Sequence, residues 1–389
     1  MAKRSGQRRT EELQRRMKDA GLNAFVLNDA DSIFYFADYW DYLGMEFGRA
    51  TLLVIPADGE PVLITPLMES EMARRMTWLN DIRPWMDGVD GEWGKPLTAA
   101  IAKPGIRRIG VEWNKTHPVV HRYLTAMQTS AKIEDAWRII SDMRMIKTPE
   151  EIQTMREAGQ VAVAMVKAGR DVISERACEY EVALAVIAGG TRKAAEILKA
   201  QGNRDPLNAF FSPTIYNLQV LNSGEHTCLV HRRSTVRPLG KGDPIYLCFC
   251  GIANFKNMKL GFDRQFYVGH APDDQAKAYE TTVKAQQAAL REMRSGAIAE
   301  DINAAAVEVY KANGYGPSYR TGRAIGFSFL EEPQLKVGDR TPLRAGMAFA
   351  VDGGITVAGA YGARIGDSVV VTEKGFEYLT DYPRELTVL

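Results

Sequence analysis

The first 143 residues alternate between strand-like and helix-like spacings of apolar positions. An amphipathic helix in "RRTEELQRRMKDAG" precedes the strand-like "LNAFVLN", and "RATLLVIPADGEPVLITP" places two apolar runs on either side of an Asp-Gly turn. Two such runs joined by Asp-Gly are typical of a β-hairpin. Because "IRRIGVE" and "HPVVHRYLTAMQ" continue the alternation, the pattern predicts an α/β domain over residues 1–143.

A second domain is predicted over residues 144–389. Its first helix has a clear start signal, since Thr148 and Glu151 form a Thr-x-x-Glu capping box and Pro149 occupies the first helical position. Helices and strands then occur in groups, which predicts an α+β domain with helices packed on a curved antiparallel sheet. The predicted helices cover 149–170, 175–201, 273–294 and 299–312, and the predicted strands are "PIYLCFC", "RQFYVGH", "GMAFAVDGG" and "DSVVVTE".

Charge and hydropathy narrow the class of function. The 389 residues include 49 Lys and Arg against 48 Asp and Glu, a net charge of +1. So balanced a chain favours no nucleic-acid or anionic-membrane partner. The basic start lacks the apolar core of a signal peptide, and no apolar run approaches the ~18 residues of a membrane span. We therefore expect a cytoplasmic protein that acts on small molecules or peptides.

The four cysteines are too sparse and unevenly spaced to form a disulfide framework. Cys248 and Cys250 lie two apart on a predicted strand, so both thiols share one face. A zinc site completed by His226 or His231 is one interpretation, although zinc usually takes four tetrahedral ligands. Buried, reduced thiols in a core strand are the favoured interpretation.

Seven segments occur in a fixed order along the chain. They are "MRMIKTPEEIQTMREAG", "NSGEHTCLVH", "GKGDPIYL", "MRSGAIAEDINAAAVEVYKANGYG", "GRAIGF", "LRAGMAFAVDGG" and "ARIGDSVVVTEKG". In this order they resemble the signatures of the pita-bread superfamily, which includes creatinase, aminopeptidase P, prolidase and methionine aminopeptidase. The resemblance covers the whole second domain and, more weakly, the first, and implies an N-terminal creatinase-like α/β domain followed by a C-terminal pita-bread domain.

In the peptidase members of this superfamily, two Asp, one His and two Glu hold two divalent metal ions. The matching positions here are Cys248, Gly261, Arg323, Asp352 and Gly366. Glycine offers no side-chain ligand, and arginine brings a permanent positive charge to a place that a dication would occupy. We therefore expect no metal and no other cofactor.

The arrangement of candidate catalytic residues is similar to that of creatinase. His231 lies seven residues after Gly224 and eleven before Gly242, which matches the catalytic histidine of creatinase. Imidazole titrates near neutrality, so His231 is expected to transfer protons. The resemblance makes Asp263 and Asp352 the carboxylate pair that grips a guanidinium or amidinium group.

Five further residues are candidate substrate-binding residues. The resemblance implies that Phe47 and Arg49 reach into the active site of a partner subunit, with Arg49 holding a substrate carboxylate, so that a homodimer completes each site. A solvated arginine at a strand start is the alternative for Arg49. His226 is a candidate for orienting the site, and Arg323 and Arg364 for binding the substrate, although Arg323 could instead neutralise the two aspartates.

These inferences predict a metal-independent homodimeric hydrolase. Its expected substrate is a small zwitterion in which a non-peptide C–N bond of an amidine, guanidine or cyclic amidine is cleaved, as in creatinase or ectoine hydrolase. Two alternatives stay open. The first is a metallo-aminopeptidase or prolidase, and the second is a non-catalytic binding protein with a pita-bread fold.

Overall fold

Two large sheets and one small two-stranded sheet organise the described part of the chain. The computed structural model describes residues 3–89, 91–127, 130–215, 220–249, 254–316 and 319–389. The contacts divide the chain into unit 1, Met1–Met143, and unit 2, Arg144–Leu389.

The elements of unit 1 are α1 Ser5–Asp19, β1 Ala24–Leu27, α2 Ala30–Ala37, α3 Tyr42–Phe47, β2 Leu52–Pro56, β3 Val62–Pro66, α4 Ser70–Met76, β4 Asp81–Trp85, α5 Gly94–Ile101, β5 Arg108–Val111, α6 Pro118–Ala126 and β6 Lys132–Asp135, and α7 Trp137–Met145 crosses the unit boundary. The strands form a mixed sheet in the order β4-β3-β2-β1-β5-β6. The predicted hairpin is confirmed, since β2 and β3 pair antiparallel across the Asp-Gly turn. Pairs β1–β5, β5–β6 and β3–β4 are parallel.

The described residues of unit 2 form four long helices and a larger sheet. The elements are α8 Pro149–Arg170, α9 Glu179–Gln201, β7 Val220–Ser223, β8 Pro244–Cys248, β9 Asn254–Phe255, β10 Met258–Lys259, β11 Asp263–Tyr267, α10 Asp273–Glu292, α11 Ala299–Ala312, β12 Gly322–Ala324, β13 Glu331–Leu335, β14 Ala348–Val357, β15 Tyr361–Val371, β16 Phe376–Tyr378 and β17 Thr387–Val388. The strands of the sheet follow the order β13-β12-β14-β15-β11-β8-β7, with β16 paired to β15 and β17 paired parallel to β11.

The predicted capping box at the start of α8 is present. The Thr148 hydroxyl accepts a hydrogen bond from the Glu151 amide at 3.3 Å, and the Glu151 carboxylate accepts one from the Thr148 amide at 2.9 Å. Together they satisfy two amides that a helix start otherwise leaves without partners.

One face of the unit 2 sheet is covered by the helices. Phe349, Val351 and Ala363 on β14 and β15 belong to the same apolar cluster as buried residues of α10 and α11. On the other half of the sheet, Leu247 of β8 lies against Gly169 of α8, since a β-carbon at Gly169 would lie 3.2 Å from Leu247 Cδ1. The predicted fold class, an α/β domain followed by an antiparallel sheet with packed helices, is confirmed.

Within the described residues, none of the helices has the length and apolar character needed to span a membrane.

Candidate functional site

The candidate site is built on a row of paired residues that crosses the unit 2 sheet. Asp352 of β14 pairs with Gly366 of β15, which pairs with Asp263 of β11, which pairs with Cys248 of β8. Directly paired residues point their side chains to the same face of a sheet. Two carboxylates therefore flank a residue that has no side chain.

Two arginines share this face. Arg323 of β12 pairs with Ala350, which lies two residues before Asp352, and Arg364 lies two residues before Gly366. Since residues two apart on a strand share a face, all these side chains lie opposite the helix-covered face. We call it the polar face, defined by Arg323, Asp352, Arg364 and Asp263.

Arg323 is buried and fixed by three contacts. Its Nη1 forms an ion pair with Asp352, and its Nε donates to the Phe329 carbonyl at 3.3 Å. The guanidinium also lies over the Phe329 ring, 4.1 Å from the centroid. A buried ion pair fixed by a further hydrogen bond and a stacked ring has little freedom to reorient.

Asp263 has the most perturbed acidity on the polar face. Burial, together with the charge on Asp352, raises the pKa of its carboxyl from the ordinary value of 3.8 to about 6. Hydrogen bonds from the Cys248 thiol and the Tyr246 hydroxyl, together with the charge on Arg323, oppose this rise. A carboxyl group with this pKa can accept and return a proton near neutral pH.

The two glycines on the polar face leave space that charged groups fill. A β-carbon on Gly366 would lie 2.7 Å from Asp263 Oδ2, and one on Gly261 would lie 3.1 Å from Arg323 Nη2. The Asp263 carboxylate and the Arg323 guanidinium therefore occupy the volumes that side chains at 366 and 261 would take.

Arg364 is a buried cation whose contacts are with neutral groups. Nη2 donates to Thr356 Oγ1 at 2.7 Å, and Nη1 donates to the Ile355 carbonyl at 3.2 Å. Its Nε is buried without a hydrogen-bond partner in the described structure. Among the ion pairs of the described residues, none joins Arg364 to a carboxylate, and its substrate-binding role stays a prediction.

The two histidines lie near one edge of the site. Thr227 Oγ1, in the 3-10 turn Gly224–Cys228, accepts a hydrogen bond from the Gly362 amide of β15 at 2.9 Å, which places His226 beside β15. His231 follows this turn and is exposed. Among the hydrogen bonds and ion pairs of the described residues, none joins His231 to Asp263 or Asp352, and its proton-transfer role stays a prediction.

The candidates from the first domain lie in unit 1. The Phe47 ring is 64% exposed. Arg49 forms an ion pair with Asp87 and lies over the Trp85 ring, 5.3 Å from the centroid. Their proposed function at a partner's site stays a prediction.

The five positions that match peptidase metal ligands do not fit a dinuclear centre. Asp352 supplies one carboxylate, and its partner is Arg323. In the part of the chain that the structure describes, no group of three or more His, Cys, Asp or Glu is arranged to hold a metal ion. Cys248 is buried, as its core-strand position predicts, whereas Cys250 lies outside the described residues.

Comparisons with known proteins give the family. The sequence profile of metallopeptidase family M24 matches residues 153–373, and the creatinase/prolidase N-terminal domain matches residues 9–146. The chain belongs to the metallopeptidase family M24. The two domains expected from the resemblance, a creatinase-like N-terminal domain and a C-terminal pita-bread domain, are thereby confirmed.

Three M24-like relatives match over nearly their full lengths. An agropine synthesis cyclase from Rhizobium rhizogenes is 28% identical, with 97% of this chain and 96% of the relative covered. An Xaa-Pro dipeptidase from Pyrococcus furiosus is 25% identical, with 97% and 99% covered. The crystal structure of the X-Pro aminopeptidase from Thermotoga maritima superposes with a TM-score of 0.83 at 22% identity, covering 98% of this chain and 99% of that one, which establishes the fold.

These findings correct the activity predicted from the sequence. The predicted hydrolase of non-peptide C–N bonds is wrong, because, apart from the cyclase, the relatives are named as dipeptidases, such as the Xaa-Pro dipeptidases of Pyrococcus furiosus and Lactobacillus helveticus. The inference failed because loss of metal ligands was interpreted as loss of the peptide substrate. Ligand identity constrains how a bond is polarised, whereas the substrate is selected by the shape and charge of the pocket.

Sequence reasoning missed the residues that tune Asp263. Tyr246 and Cys248 lie on β8, beside Asp263 on β11, and donate hydrogen bonds to its carboxylate. The one available signal was the two-residue spacing of Tyr246 and Cys248, which places both on the face that carries Asp263. Nothing in the local sequence identified Phe329 as the residue that stacks on Arg323.

Proposed function

We propose that this chain is a hydrolase that cleaves the peptide bond of short peptides on the polar face of unit 2. Its membership of M24 and its dipeptidase relatives support the substrate class. The observation that carries the chemistry is the buried Asp263 carboxyl with a pKa of about 6, next to the charged pair of Arg323 and Asp352.

Asp263 is the general base in this proposal. Its carboxylate accepts a proton from a water molecule while the water oxygen attacks the carbonyl carbon of the peptide. The proton then passes from Asp263 to the leaving nitrogen as the C–N bond breaks. A base whose pKa lies near the working pH performs both transfers, since it is ionised before attack and acidic enough to return the proton.

The substrate is a small zwitterion, such as a dipeptide. Arg364 binds its carboxylate, because a buried guanidinium that contacts neutral oxygens gains a charge-assisted, bidentate partner when an anion arrives. A dipeptide carries its carboxylate a few bonds from the peptide carbonyl. Arg364 and Gly366 are two apart on β15, which matches this short separation.

Cyclisation is a second candidate, because one relative that matches over its whole length is a cyclase. Asp263 can deprotonate an internal nucleophile of the substrate as it deprotonates water. The two reactions differ in their products, since hydrolysis adds one water molecule and acyl-transfer cyclisation releases a small leaving group without adding water.

The test is a panel of dipeptides, with Xaa-Pro and non-proline members, analysed by mass spectrometry of the products. Products that contain one added water support the hydrolase. Cyclic products support the second candidate, and tight binding without any product supports a non-catalytic binding protein and contradicts both. Asp263→Asn serves as the inactive reference, and Asp381→Asn, an exposed aspartate, as the matched control.

We also propose that the chain works as a homodimer. Unit 1 exposes several large apolar side chains, which we call the apolar patch; among them Tyr42 packs on Phe47, and Met68 contacts Arg49, the partner of Asp87. A mass measurement by light scattering tests this, with Phe47→Ser expected to weaken the dimer and Val337→Ser, at an exposed valine of unit 2, expected to have no effect. The patch consists of Tyr42, Phe47, Leu67, Met68, Met86 and Val89.

A further inference from the structure

Arg323, one of the two cations on the polar face, lies at a position that matches a peptidase metal ligand. Arg323 Nη2 lies 3.1 Å from the position of a β-carbon on Gly261, one of the places where a peptidase metal ligand would begin. A β-carbon at 261 would also lie 2.7 Å from Ala350 Cβ, so a side chain there would have to displace the strand or this guanidinium. The absence of a side chain at 261 and the presence of arginine at 323 are therefore one structural feature, in which the guanidinium takes the volume of the missing ligand.

The surrounding loop holds this guanidinium in place. Phe329 contacts Arg323 through both its carbonyl and its ring. The Glu331 carboxylate that follows is buried, pairs with Lys147 Nζ at 2.6 Å and accepts the Ser328 amide at 2.9 Å. Paired buried charges on either side of Phe329 limit the movement of the loop, so the Arg323 guanidinium is preorganised.

The charges on the polar face also match this arrangement. Asp263 and Asp352 are paired on either side of Gly366, and Arg323 lies beside Asp352, one strand farther along the sheet. When the water that Asp263 deprotonates attacks a peptide carbonyl, negative charge develops on the carbonyl oxygen. A fixed positive charge in a buried site stabilises such an oxyanion far more than a charge in water does.

We infer that Arg323 is a catalytic residue of the proposed peptide cleavage. Its guanidinium lies in the volume that metal ligands take in peptidases of this superfamily, and it stabilises the oxyanion of the reaction. This inference rests on the proposed function for its reaction. The donor set does not fit a metal, because the positions at 261 and 366 offer no side-chain ligand and the carboxylate at 352 is paired with Arg323.

The experiment removes and replaces the guanidinium. Arg323→Ala is expected to lower kcat on the best dipeptide by about 10²–10³-fold with a smaller change in KM. Guanidinium chloride at low concentration is expected to raise kcat of Arg323→Ala at least about tenfold, because the small cation fits the vacated volume. Manganese, cobalt or zinc salts are expected to restore none of it. Arg340→Ala, an exposed arginine, is the matched control.

Two measurements without substrate keep the inference separate from the proposed function. Elemental analysis of the purified chain, after incubation with divalent metals, is expected to give far less than one metal per chain. Guanidinium is expected to raise the melting temperature of Arg323→Ala and not that of Arg340→Ala. If no peptide is cleaved but both results hold, the proposed reaction is wrong while the built-in cation stands.

Three results would overturn the inference. They are stoichiometric metal binding by the wild-type chain, rescue of Arg323→Ala by a metal salt instead of guanidinium, and a folded Arg323→Ala variant whose kcat stays within about threefold of wild type. Where Arg323→Ala fails to fold, Arg323→Lys takes its place. Lysine keeps the charge but loses the planar fork, so a kcat unchanged in Arg323→Lys contradicts a role for the guanidinium geometry.

Discussion

The two faces of the unit 2 sheet each bury aspartates and arginines, yet the two clusters differ in balance. On the helix-covered face, the fully buried Asp367 accepts hydrogen bonds from Arg264 at 2.8 Å and Arg384 at 3.0 Å. Gln286 and Thr380 donate to the same carboxylate at 3.2 Å and 3.1 Å. Two cations and two neutral donors thus surround one anion.

The polar face carries two carboxylates and two cations, and its ion pairing differs. Asp263 and Asp352 are both buried, Arg323 pairs with Asp352, and Arg364 contacts neutral oxygens. Burial and the neighbouring charge of Asp352 raise the pKa of Asp263 to about 6. A carboxylate surrounded by two cations and two neutral donors stabilises the fold, whereas a buried carboxyl with such a raised pKa changes protonation near neutral pH and is suited to chemistry.

The largest expected effect is on catalysis by the polar face. Asp263→Asn should lower kcat/KM on the best dipeptide by about 10²–10⁴-fold, because the amide cannot accept the proton of water. Its melting temperature should change little or rise, since a buried charge is removed. If His231 transfers the proton instead, as the sequence predicts, His231→Ala will lose activity to this extent and Asp263→Asn will not.

Removing the carboxylate on the helix-covered face should affect stability instead. Asp367→Asn leaves the buried Arg264 and the partly buried Arg384 without this anion and should lower the free energy of unfolding by roughly 3–5 kcal/mol. Urea denaturation measures this loss. A change of under about 1 kcal/mol would mean that the Asp367 cluster is not the structural counterpart described above.

The pH dependence of stability should come from the polar face. Because folding raises the Asp263 pKa from 3.8 to about 6, its contribution to stability is fully present below about pH 4 and is lost as pH rises through about 6. The loss should reach about 3 kcal/mol in wild type relative to Asp263→Asn. Urea denaturation across the pH range measures this difference between wild type and Asp263→Asn. Asp41 in unit 1 also has a raised pKa, but its contribution to stability is the same in both chains and cancels in the difference.

The smallest effect concerns the glycine between the two aspartates. Gly366→Ala places a β-carbon 2.7 Å from Asp263 Oδ2, so the carboxylate must move. We expect a loss of about 1–3 kcal/mol in the free energy of unfolding, together with lower activity. Gly375→Ala, where no atom lies within 4 Å of the new carbon, is the control and should change stability by less than about 0.5 kcal/mol.

Local signals in the sequence were sufficient to predict helices but not the full length of the strands. The helices predicted over 149–170 and 299–312 have those bounds in the structure, because their starts and apolar spacings are encoded locally. In contrast, β15 was predicted from Asp367 and begins at Tyr361. Its first part, "YGARIG", contains two glycines and has a weak strand pattern, yet six residue pairs with β14 hold it in the sheet.

The candidate site was predictable only in part for a similar reason. The resemblance identified Asp263, Asp352 and Arg323 one by one. The acidity of Asp263 depends on burial and on neighbours contributed by other strands of the sheet, among them Tyr246 and the distant Asp352. Such contacts are set by register across strands, which no local pattern encodes.

Titration of the Asp263 carboxyl in the substrate-free chain tests the central claim most directly. Infrared difference spectra of wild type against Asp263→Asn, recorded between about pH 4 and pH 8, isolate the protonated carboxyl band of this residue. The account predicts that the band disappears with a midpoint at about pH 6. A midpoint at the ordinary value of 3.8, or a band absent throughout this range, would contradict it.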